Sequence, residues 1–293
     1  AYTRIKYLTG FLMLMAVYAC ACVVWGTAPA QTSKRLYTFA FAGFALGLGW
    51  VMAILPEGIK STLWDHFNIQ PSDLWMMHGY ATWLAIYKPI QCAAAVLVIA
   101  ASGAFMAYIE RGGAWTLVFA CCAVFAAGFV HFHELIIFDA ALLAYLALCR
   151  ARAVAVPMRG IALLLAVSSV PLLYHYYLYM SDPVFSRYAQ LRLFKSPNPY
   201  SYAAGYGAVL VAAVYGARSV WRKGDRKMLF LLAWAAVVPV LLYLPWPVQG
   251  DMLGAYFFPL AFLAVAGFYA IPNSRPLLRN LAIASAFALS LPS

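Results

Sequence analysis

Long apolar runs, broken at short intervals by clusters of lysine and arginine, set the rhythm of this chain. A helix needs about 20 apolar residues to cross bilayer hydrocarbon. Ten stretches come near that length: roughly 5–26, 36–54, 89–109, 114–131, 134–149, 159–180, 200–219, 228–245, 253–271 and 276–291. Only the HFHE group divides the fourth from the fifth, which predicts short helices folded as a tight hairpin. The segment 73–88 is apolar and aromatic but is interrupted by His78 and closed by Lys88-Pro89, which predicts a helix lying at the interface rather than a further span. The pattern predicts an all-α, polytopic transmembrane helical bundle of about ten spans, with that interfacial helix in an outer loop. Residues 1–293 then form a single integral membrane domain.

Composition agrees. The chain is 66% hydrophobic and 10% charged, with a mean hydropathy of +0.81, far from the roughly 25% charged residues of a soluble domain. The net charge of +11 would suggest nucleic acid in a soluble protein. Here the cations fall between apolar runs, the pattern that orients helices in a bilayer, and no nucleic-acid partner is expected.

If the loop 220–227 faces the cytoplasm and each run crosses once, that side receives Lys34, Arg35, Arg111, Arg150, Arg152, Arg159, Arg218, Arg222, Lys223, Arg226, Lys227, Arg275 and Arg279. The outer side keeps Arg4, Lys6, Lys60, Lys88, Arg187, Arg192 and Lys195, together with Glu57, Asp65, Asp73, Asp182 and Asp251. The outer loops are then 55–88, 181–199 and 246–252, and Ala1 is outside. The first apolar run begins almost at once with no small-residue cleavage site after it, so no signal peptide is indicated. The six cysteines lie within apolar runs, as small core residues rather than a disulfide framework.

The stretch from Pro171 to Gly207 leaves one run through Tyr174, Tyr176, Tyr177 and Tyr179 and re-enters the next through Pro197, Asn198, Pro199 and Tyr200. Such aromatic belts sit at headgroup level. Within its loop, Arg187, Arg192 and Lys195 have the chemistry to grip a lipid phosphate, or simply to hydrate the loop. The first outer loop sets Asp65 and Asp73, with Glu57, His66 and His78, among Trp64, Trp75 and Trp83. Carboxylates there suit general-base work beside aromatic faces that stack on sugar rings; the plainer reading is a wet loop with an aromatic belt.

His131, His133 and Glu134 form a compact polar group. Imidazole and carboxylate suit a metal, but without a further ligand motif the expectation is a polar hairpin turn and no metal. Asp139, inside an apolar run, is expected to pair with a buried Arg or His or to line a cavity. His175 is a lone histidine in the tyrosine belt, expected to find a partner at the interface. Asp251 belongs to a short rigid turn opening at Pro245. Gly43, Gly47 and Gly49 would permit close helix packing.

The order GLGW, SDLW, KPIQ, VHFHELII, VPLLYHYYLYMSDPVFSRYAQ, SPNPYSYAAGYG, WRKGD, LLAWAAVVPVLLYLP and FFPLAFLAVAGF resembles polytopic bacterial membrane glycosyltransferases of the GT-C superfamily, from about Gly43 to Ala270. The resemblance implies the inner membrane of a bacterium, a polyprenyl-phosphate sugar as donor and a site on the outer face. The reaction it implies is an inverting transfer in which a carboxylate deprotonates the acceptor. Asp65 and Asp73 are then the candidate catalytic acids, and Arg187, Arg192 and Lys195 the candidate partners of the donor phosphate. His131, His133, Glu134, Asp139 and Asp251 make up a polar cluster.

Superfamily members carry their catalytic acid in the first outer loop, and the first two runs here are joined only by TAPAQTSKR. The expectation is either that the catalytic part lies upstream of Ala1 or that the chain keeps the scaffold without the reaction, as a silent subunit beside other membrane proteins. A transporter using Glu134 and Asp139 on an internal path is the third alternative.

Overall fold

The computed structural model describes residues 2–44, 54–66, 88–191, 194–246 and 248–290. Among these, every regular element is helical. They are α1 (Tyr2–Trp25), α2 (Thr32–Phe44), α3 (Glu57–Ser61), α4 (Pro89–Arg111), α5 (Ala114–Val130), α6 (Phe132–Ala151), α7 (Met158–Ser181), α8 (Pro183–Leu191), α9 (Pro199–Lys223), α10 (Arg226–Leu241), α11 (Phe257–Phe268) and α12 (Pro276–Ser290). A π-helical turn, Thr62–His66, continues α3.

Among the described residues, six helices are long and apolar enough to cross a membrane: α1, α4, α6, α7, α9, and α11 with the turn before it from Gln249. The other expected spans are also helical where described, with 17 residues in α5, 16 in α10 and 15 in α12, and 13 described residues in α2, up to Phe44. The expected interfacial helix at 73–88 falls outside the described residues up to Lys88. An amphipathic helix lies within the loop 181–199. This is α8, opened by Asp182, whose Oδ1 accepts from the Val184 amide at 2.8 Å, and exposing Val184 and Phe185.

The helix ends sort onto two faces. At one end, Lys227 Nζ is 3.0 Å from Glu110 Oε2 and donates to the Val23 carbonyl at 3.1 Å, which ties together the ends of α1, α4 and α10. Arg152 donates to the Arg222 carbonyl at 3.2 Å and joins α6 to α9. The cations assigned above to one side lie at helix ends of this basic face. Arg35 is the exception in role: it is buried and donates to the carbonyls of Gly26 and Ala28, closing the α1–α2 turn rather than meeting lipid.

Between the faces runs a column of aromatic rings. Phe230 of α10 meets Phe105 of α4 and Tyr145 of α6 edge-on, at 5.3 and 5.9 Å. Trp234, Phe258 and Phe262 extend the column to Trp25 of α1. Lipid removes the hydrophobic drive between helices, so close packing must hold them. That packing is tightest between α9 and α11. A β-carbon on Gly216 would land on the Leu263 carbonyl oxygen, and one on Gly267 would land on the Ala212 carbonyl oxygen. These glycines do what was expected of Gly43, Gly47 and Gly49. Of those, only Gly43 is described, and a methyl there would meet just the Leu14 side chain at 2.8 Å.

Two backbone features interrupt the regular helices. Gly207 (φ 47°, ψ −127°) splits α9 into two helical segments, a backbone state open mainly to glycine. Pro171, inside α7, removes one of its backbone hydrogen bonds and lies against Gly128 of α5. Among the described residues all six cysteines are free thiols; Cys20, Cys92 and Cys149 are in the core, whereas Cys122 is exposed.

Candidate functional site

The end opposite the basic face is assembled from four separate stretches of chain. The first is the hairpin. α5 stops at Val130 and α6 starts at Phe132, with His131 alone between them in extended conformation (φ −159°, ψ 98°). One extended residue between two helices forces the reversal, and it throws His131 and His133 toward α4 and α11. The Gln91 amide of α4 lies 3.2 Å from His131 Nε2. The two imidazoles face each other with centroids 4.9 Å apart.

The second stretch is the turn ahead of α11. His133 Nε2 is 3.9 Å from Asp251 Oδ2. The Glu134 carboxylate lies so close to Gly254 that a β-carbon there would strike both carboxylate oxygens; glycine is required at 254 by the acid across from it. His133, Glu134 and Asp251 are 3%, 1% and 1% exposed. The HFHE group thus forms a tight polar hairpin turn whose second histidine and acid are buried, and Asp251 is buried within its turn. Both were read as loop residues because polar residues between apolar runs ordinarily meet water, but the helices close over them. Among the described residues, Glu134 Oε2 has no hydrogen-bond partner, and no three His, Cys, Asp or Glu side chains come together in a metal-holding group.

The third stretch, 194–198, is stapled to that turn. The Gly250 amide donates to the Phe194 carbonyl at 2.9 Å. The Ser196 amide donates to Gln249 Oε1 at 2.9 Å, and the Tyr243 hydroxyl donates to the Pro197 carbonyl at 2.7 Å. Lys195 is therefore held at the same end as Asp251, with its side chain exposed. Tyr202 Oη is 2.8 Å from Ser196 Oγ and fixes the loop to the start of α9, whose first turn is capped by Asn198.

The fourth is the end of α7. His175 Nε2 lies 3.0 Å from the Gly128 carbonyl, and Phe132 packs between His175 and His133 with centroids 4.8 and 4.0 Å away. His175 is a satisfied interhelical histidine, as expected.

The remaining candidates are scattered. Asp139 accepts from Ser168 Oγ at 2.7 Å; its partner is a neutral hydroxyl of α7 rather than a buried cation, and it does not join the cluster. Arg187 is exposed on α8, and Asp65 is exposed on the π-helical turn, where no described hydrogen bond ties it to the cluster. Asp73 and Arg192 lie outside the described residues. Gln91 and Gly254 were missed by the sequence reading. Gln91 offered a signal as a polar residue in the first turn of an apolar run, but Gly254 carries none without its neighbour across the interface.

Comparison with protein-family models, with characterised proteins and with solved structures returns no match.

Proposed function

We propose that the chain is the membrane core of a GT-C-like glycosyltransferase, of about ten spans, in the inner membrane of a bacterium. It moves a sugar from a polyprenyl-phosphate donor at the end opposite the basic face. The placement of lysine and arginine supports a cytoplasmic basic face and an outer catalytic end. The observation that carries the reading is convergence. VHFHELII and SPNPY, motifs on which the resemblance rests, meet at one end through the turn 248–251, by the His133–Asp251 contact and the Phe194–Gly250 and Ser196–Gln249 bonds; that turn itself departs from the family pattern, with Gly250 and Asp251 where an arginine is common.

In the proposed reaction the acceptor oxygen attacks the anomeric carbon while its proton passes to a carboxylate, and the bond from that carbon to the phosphate oxygen breaks. Asp65 is an exposed, described carboxylate for that proton, with Asp73 further along the same loop. Lys195 and Arg187, with Arg192, match the charge on the departing polyprenyl phosphate, the role preorganised cations play where charge develops. Buried His133, Glu134 and Asp251 hold the loop and the turn in register.

The test is release of polyprenyl phosphate from a panel of radiolabelled polyprenyl-phosphate monosaccharides by the full-length protein in proteoliposomes. Turnover is expected, with loss in Arg187→Ala/Lys195→Ala at an unchanged melting temperature. No release from any donor by folded wild-type protein would overturn the reading. A second reading, a catalytically silent subunit on the same scaffold, is favoured by the near-complete burial of His133, Glu134 and Asp251, which suits a structural plug. Under that reading, wild type releases nothing and co-purifies with other membrane subunits.

A further inference from the structure

At the basic face, away from the proposed catalytic end, three concavities run into one another. The largest, about 470 Å³, is an apolar groove between α9, α11 and α12. It extends along α9 from Ala208 to Tyr215 and along α12 from Ala282 to Leu289, roughly 10 Å at the helical rise. At Tyr215 it joins a second hollow of about 300 Å³ carrying Arg218, Arg222 and Lys223. Through Ser219 and Lys223 that hollow continues into a third, of about 410 Å³, edged by Lys34 and Arg279. The small residues that let α9 and α11 touch leave the groove open, because α12 packs further out.

The third hollow carries an excess of positive charge. Lys34, Lys223 and Arg279 line it against one acid, Asp225, whose Oδ1 is engaged as the cap of α10, accepting from the Met228 amide at 3.0 Å. The Tyr269 ring carries a cation on each side: Lys34 Nζ is 5.0 Å and Arg279 Cζ 5.0 Å from its centroid. Burial, with the neighbouring charges of Lys223 and Arg279, holds the Lys34 ammonium below the ordinary lysine range. Like charges gathered in a half-buried hollow repel one another, and an anion in their midst relieves that repulsion.

We infer that this continuous groove and hollow bind one anionic phospholipid, its phosphate among Lys34, Lys223 and Arg279 and an acyl chain along the apolar groove between α9 and α12. Charge complementarity selects the occupant. A neutral or zwitterionic lipid would satisfy the groove but leave the excess positive charge unmatched, and a soluble anion would leave the groove bare. Basic hollows between membrane helices suit acidic headgroups in this way.

The test is native mass spectrometry and thermal melting of the full-length protein in detergent, titrated separately with phosphatidylglycerol, with phosphatidylcholine of the same chains, and with inorganic phosphate. Phosphatidylglycerol is expected to add one retained lipid and to raise the melting temperature at least severalfold more effectively than the other two. Lys223→Ala/Arg279→Ala should abolish that preference. Ser285→Trp, at an exposed position that fills the groove, should lower phosphatidylglycerol retention about tenfold with the lipid-free melting temperature unchanged. Equal retention of the two lipids, or inorganic phosphate reproducing the full shift, would overturn the inference, as would retention unaffected in both variants.

Discussion

The contact between α9 and α11 gives the sharpest stability prediction. In Gly216→Ala the new methyl meets the backbone of the partner helix, not a side chain. Beyond the Leu263 oxygen on which it lands, it would stand 2.8 Å from both the Leu263 carbonyl carbon and the Gly267 amide nitrogen. Relaxed contacts of this kind lie at about 3.5 Å or more, so the helices must part by at least ~0.7 Å. Leu263, Ala264 and Val265 are 2%, 0% and 0% exposed, so α11 is wedged on its far side and cannot retreat without opening the aromatic column.

Overpacking costs typically ~1–3 kcal/mol, and an immovable backbone obstacle puts this variant at the upper part of that range, about 2–3 kcal/mol. By the scaling of larger domains this is a fall in melting temperature of roughly 5–10 °C. The assay is thermal unfolding in detergent followed by intrinsic tryptophan fluorescence, with Gly58→Ala as control. A methyl at 58 meets nothing within 4 Å and should shift stability by no more than ~0.5 kcal/mol. Gly216→Ala/Gly267→Ala should cost less than the sum of the two single changes, because the helices need separate only once. A Gly216→Ala protein melting within a degree of wild type would refute the close approach.

Tyr243→Phe should lower stability by about 1 kcal/mol, the net worth of a typical hydrogen bond, by freeing Pro197 and its loop, and should speed proteolytic cleavage within 194–198. Burial pushes the Tyr243 hydroxyl from the ordinary 10.0 up to about 12. The contribution of that hydroxyl is therefore complete below pH 10 and lost as the pH rises toward 12, since only the protonated form donates; a Tyr243→Phe protein showing the same alkaline loss as wild type would contradict this. Asp139→Asn keeps an oxygen to accept from Ser168 and should change the melting temperature little, whereas Ser168→Ala strands a half-buried carboxylate and should cost about 1–3 kcal/mol. A larger loss in Asp139→Asn than in Ser168→Ala would show that a charged partner, not the hydroxyl, holds Asp139.

Period and composition were enough to determine the helical, membrane-type character of the chain. An apolar run of about 20 residues has no cheaper way to satisfy its backbone in lipid than a helix, and the lysines and arginines between runs foretold which helix ends share a face. The hairpin at His131 was legible for the same reason, as a polar interruption too short for a loop. What lies between the helices was not legible. The glycines that matter, Gly216, Gly254 and Gly267, look like any others until a carbonyl or a carboxylate comes across the interface to meet them. Burial of Glu134 and Asp251 was hidden because polarity in sequence predicts exposure, and only neighbouring helices decide whether water reaches the group. Asp139 took a serine as partner because α7, packed through Pro171 onto Gly128, brings Ser168 beside it. Contacts between residues distant in sequence depend on helix approach and rotation, which the hydrophobic period leaves free and packing alone sets.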